Sequence, residues 1–165
     1  MDNTQNDHLK AYGFAFWVLK QNDNIDWLLN YKGGAFLIDD KTKYNQEAKL
    51  RGITSYYLSP EDINLIYQNI ENNNMSIVLL EKVPKIAVYS PPDKQPWDDA
   101  VTLALTYAEV EYDVIFDDEI LNGSLKKYDW LHLHHEDFTG QYGKFYKSFR
   151  NASWYKKLEN DFNKL

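Results

Sequence analysis

Short apolar runs rich in β-branched and aromatic residues recur along this chain, and stretches with helical spacing lie between them. Residues 25–30 (IDWLLN), 35–38, 53–58 (ITSYYL), 76–80, 85–89 (KIAVY), 112–116 and 128–134 (YDWLHLH) read as strands. This alternation constrains the fold more than any other feature. Strands joined by helices of about ten residues need crossover connections, which are right-handed and favour parallel pairing. The runs lack clean polar/apolar alternation, as expected of a sheet covered on both faces. The expected class is α/β: a mainly parallel sheet with helices on both faces, in a three-layer flavodoxin- or Rossmann-like arrangement.

The helices carry their own start and stop signals. Asp7 is placed to cap a first helix, with Leu9, Tyr12, Phe16 and Trp17 on one stripe and an end near Gln21 and Asn22. Lys32-Gly33-Gly34 reads as a turn, and residues 43–50 as a short helix closed by Gly52. Ser59-Pro60-Glu61-Asp62 combines a cap, a first-turn proline and first-turn acids; Ile63, Ile66, Tyr67 and Ile70 form the apolar face that follows. Pro96-Trp97-Asp98-Asp99 leads into a helix with Val101, Ala104, Leu105 and Ala108 on one side, and Asp98 reads as its cap. Residues 138–149 read as a helix broken by Gly140 and Gly143, and residues 154–162 as a terminal helix. At 165 residues the chain is one α/β domain or a fragment of a longer protein, with a lobe boundary available at residues 82–84.

Composition removes several kinds of chemistry. The chain has no Cys, which excludes thiol nucleophiles, thiolate-bound zinc, iron–sulfur clusters and disulfides. Its net charge is −7 and no Lys/Arg cluster stands out, so nucleic acid and anionic membrane surfaces are not expected partners. Asp2, Asp7, His8 and Lys10 interrupt the N-terminus, and no spanning segment is visible. A soluble, cytoplasmic chain is the default expectation, with export of a longer parent left open.

Candidate chemistry gathers where strands end, because ligands of open parallel sheets sit beyond the carboxyl ends of strands. The first such place is Ser90, after KIAVY; no glycine-rich phosphate loop follows it, so nucleotide binding of the Rossmann or P-loop kind is not expected. No nucleophile elbow is present, so a Ser90–His–Asp arrangement would need a tertiary contact. Asp117-Asp118-Glu119 could bind a divalent cation or form a solvated turn. The most unusual segment is Leu131-His132-Leu133-His134-His135-Glu136-Asp137, which holds three of the four His. On a strand, His132 and His134 share one face, and Asp137 or Glu136 could complete a nitrogen/oxygen metal site. Imidazoles beside carboxylates also suit proton transfer near neutral pH. Gln141, between Gly140 and Gly143, could belong to a lid beside them.

The stretches HLKAYGFAFWVLKQ, IDWLLNYKGGAFL, KIAVYSPPDKQPWDDAVTLALTYAE and YDWLHLHHEDFTGQYGKF carry a resemblance. The chain resembles part of a poorly characterised bacterial family whose members are often labelled asparagine synthetase B. Family members extend beyond both ends of the similar region. The resemblance implies a class I glutamine amidotransferase-like fold, with residues 85–134 matching its recurrent strand–helix–strand core. Glutaminase chemistry in such enzymes uses Cys, and this chain has none, so that mechanism carries over to no residue.

Together these readings give one leading expectation. The chain is a catalytically divergent amidotransferase-like domain that binds a small polar ligand, or a missing part of a longer chain. Ser90, His132, His134, His135, Glu136, Asp137 and Gln141 are the binding candidates. The alternatives are a metal-dependent hydrolase with a divalent ion on His132, His134 and Asp137, and a purely structural or interaction module.

Overall fold

The computed structural model describes residues 1–90, 99–133 and 147–164. The chain divides into two compact units. The first contains Met1–Val83 and Ala104–Val110; the second contains Pro84–Leu103 and Glu111–Leu165.

The first unit is antiparallel, which corrects the expectation of a mainly parallel sheet. Strand β1 (Ile25–Leu29) is central, with β2 (Ala35–Leu37) on one side and β3 (Ser76–Leu80) on the other. Both neighbours run antiparallel to β1. The reason lies in the turn. Only residues 30–34 separate β1 from β2, and so short a link permits a hairpin but no crossover. Asn30, Lys32, Gly33 and Gly34 all take positive φ to close it.

Helix α1 (His8–Lys20) starts where Asp7 accepts the Lys10 N–H at 2.9 Å. Its buried residues include Ala11, Phe14, Ala15, Val18 and Leu19, while Leu9 and Tyr12 are exposed. Of the expected stripe, Phe16 is buried and Trp17 packs against the core, so the stripe matches the buried face in its second half and departs from it at Leu9 and Tyr12. Helix α2 (Thr42–Leu50) adds Tyr44 and Ala48 to a core that also contains Ile25. Helix α3 (Pro60–Asn72) carries a reciprocal capping box between Ser59 and Asp62. Its Tyr67 hydroxyl donates to Asp26 at 2.9 Å, on the opposite side of β1 from Ile25.

Residues 53–58 are not a strand. Instead of a neighbouring strand, the Gln5 side chain engages the Thr54 backbone: it accepts the Thr54 N–H at 2.9 Å and donates to its carbonyl at 3.1 Å. Tyr56 and Tyr57 are 69% and 77% exposed. Strand propensity reports fit to a half-buried pleated surface, and no such surface receives these rings.

Burial, reinforced by a hydrogen bond to Asp23, pushes the Tyr44 hydroxyl up from 10.0 to about 12. A raised folded-state value favours the neutral phenol. Its stabilising contribution is therefore complete below the unfolded value near pH 10 and lost as pH rises toward 12. Urea midpoints are expected to fall over that interval, with part of the fall absent in Tyr44→Phe.

The second unit holds the parallel sheet. Strand β4 (Ile86–Tyr89) is central and buried throughout, between β5 (Asp113–Ile115) and β6 (Trp130–Leu133). Both pairings are parallel. The architecture is mixed α/β with a three-stranded parallel sheet. Helix α4 (Ala100–Ala108) connects β4 to β5, α5 (Asp117–Leu121) follows β5, and α6 (Ser153–Phe162) lies near the C-terminus. No helix among the described residues is long and apolar enough to cross a membrane.

Candidate functional site at the carboxyl end of the parallel sheet

The order β5-β4-β6 creates a switch point. The chain passes from β4 to a strand on one side of it and from β5 to the strand on the other, so the strand order reverses between β4 and β6. Open α/β sheets bind ligands at such a crevice.

The register decides which side chains meet there. Val88 pairs with His132 and Tyr89 with Leu133. Side chains alternate along a strand, so Val88, His132 and Ser90 share one face. Ser90 is buried, and its N–H donates to the Ile115 carbonyl at 3.0 Å, extending the ladder by one bond past β4.

Asp99 completes the arrangement. It stands immediately before α4, where its Oδ1 accepts the Val101 N–H at 2.7 Å and its carbonyl accepts the Leu103 N–H at 3.0 Å. These are the bonds of an N-cap, so Asp99 takes the role that the sequence assigned to Asp98. The second oxygen, Oδ2, lies 3.1 Å from His132 Nε2. Asp99 is 1% exposed, whereas the His132 side chain is 20% exposed. A carboxylate only accepts, so a neutral His132 donates Nε2–H here and carries its lone pair on Nδ1. A buried acid thus fixes the tautomer and angle of a ring that solvent still reaches.

On the opposite face, the buried Tyr89 hydroxyl donates to Asp117, which is also buried. Phe116 packs beside the Tyr89 ring, with centroids 5.1 Å apart. Glu119 accepts the Phe116 N–H at 2.9 Å. The acids of the 117–119 run therefore turn to different tasks at the start of α5. Among the described residues, no group of three His, Asp or Glu side chains is placed to hold a metal ion.

Of the sequence candidates, the structure brings Ser90 and His132 to one face. His134, His135, Glu136, Asp137 and Gln141 lie outside the described residues, so only His132 of the expected metal set is placed. Among the described residues, no hydrogen bond links the Ser90 hydroxyl to His132. Sequence reasoning missed Asp99 as a partner. Its signal was its position directly before Ala100, which a capping argument could have used.

No protein-family profile, curated protein or solved structure matches this chain.

Proposed function

We propose that the parallel-sheet unit is a catalytically divergent, amidotransferase-like α/β domain that binds a small polar ligand at the carboxyl ends of β4 and β6. The observation that carries this reading is the contact between His132 and the buried Asp99 at the switch point. Holding a solvent-reachable imidazole in one orientation costs side-chain freedom and requires desolvation of a carboxylate. Such an arrangement suits recognition, because a positioned donor or acceptor gives orientation and specificity. Asp99 prepares the ring, and Ser90 adds a second polar group on the same face.

The test is a titration of the whole chain with acetamide, methylammonium, acetate and inorganic phosphate, following the imidazole ring signals by NMR. His8, a surface residue of the other unit, is the internal reference. Saturable movement of the His132 signals with at least one probe, and none at His8, is expected. His132 signals that follow His8 throughout would defeat the reading.

A further inference from the structure

The sign of charge that this site accepts can be read from what already occupies the start of α4, given the ligand site proposed above. In doubly wound sheets, phosphate is held by backbone N–H groups of a glycine-rich turn and by the first turn of the next helix. Asp99 fills that position here. One of its oxygens takes the Val101 N–H at 2.7 Å and the other lies against His132 Nε2 at 3.1 Å. The connection over residues 91–98 contains no glycine, and Pro91, Pro92 and Pro96 have no N–H to offer.

We infer that this site discriminates against phosphate and other dianions and takes a ligand whose contacting group is neutral or cationic: an amide, hydroxyl or amine. The helix N-terminus and the imidazole would both attract an anion, and both already face the protein's own carboxylate. A dianion brought beside them meets the like charge of Asp99, which burial screens poorly from it.

The experiment compares inorganic phosphate with sodium chloride of equal ionic strength, in the wild type and in Asp99→Ser and Asp99→Asn. Both substitutions keep a capping oxygen while removing the charge. The readouts are the His132 ring signals and the thermal midpoint. In the wild type, phosphate should do no more than chloride. In the two neutral variants, phosphate affinity should rise by about tenfold or more as the helix end is unmasked. Saturable phosphate binding at His132 in the wild type would overturn the charge preference while leaving the site in place. Folded neutral variants that gain no phosphate affinity would overturn it as well. A His132 silent to every probe in the preceding titration would instead remove the site itself.

Discussion

Gly13→Ala should lower the stability of the protein by about 1–3 kcal/mol, the usual cost of overpacking. A Cβ at Gly13 would lie 1.7 Å from the Ala108 carbonyl oxygen and 2.7 Å from its carbon. Both obstacles are backbone atoms, so no side-chain rotation relieves the collision. Alanine would gain about 1 kcal/mol over glycine from helix propensity, acting in the opposite direction. The clash wins, because separation at 1.7 Å is far inside any van der Waals contact. The segment cannot easily drift away either. Glu109 bonds Lys10 at 2.7 Å and Arg51 at 3.0 Å, and the Tyr107 hydroxyl donates to Asp7. Lys10 holds the Glu109 carboxyl below its ordinary value. Urea denaturation of the two proteins decides the matter. A Gly13→Ala protein as stable as wild type would show that residues 104–108 do not pack on α1.

Asp99→Ala should cost about 2–5 kcal/mol, because two separable losses coincide. Removing the cap from α4 costs about 0.5–2 kcal/mol, and a hydrogen bond involving a charged group is worth about 1.5–3 kcal/mol. Asp99→Asn separates them. Asparagine caps as well as aspartate, so the Val101 bond survives. With its oxygen on Val101, the atom it turns to His132 is an NH2, which donates and cannot accept from a ring N–H. The Asn variant should therefore fold with a smaller loss than Ala while releasing His132 from its fixed orientation. Chemical denaturation measures the first effect and the His132 ring spectrum the second. Equal stability losses in the two variants would assign the whole effect to the His132 contact and none to the cap.

Local signals in the sequence identified elements well where the chemistry was local. Asp7 caps α1, Ser59 opens α3, and the apolar run at residues 86–89 becomes the buried central strand. Pairing direction was less legible. Residues 30–34 already forbade a crossover, but the alternation of strands and helices elsewhere outweighed that local fact. Residues 53–58 had the composition of a strand and lacked a neighbour to pair with, since composition cannot report what Gln5 will occupy. The site was half visible. His132 stood out through its neighbours in sequence, whereas Asp99 lies 33 positions away and reaches it only through the fold. The Tyr89–Asp117 bond, across 28 positions, was hidden for the same reason.

The orientation of the His132 ring is the point on which the functional reading turns, and long-range proton–nitrogen NMR reports it directly. At alkaline pH, where imidazoles are generally neutral, His132 should show one dominant tautomer with the proton on Nε2. That preference should relax toward a mixture in Asp99→Asn. A wild-type His132 without a dominant Nε2–H tautomer, or one whose tautomer balance is unchanged by Asp99→Asn, would contradict the account.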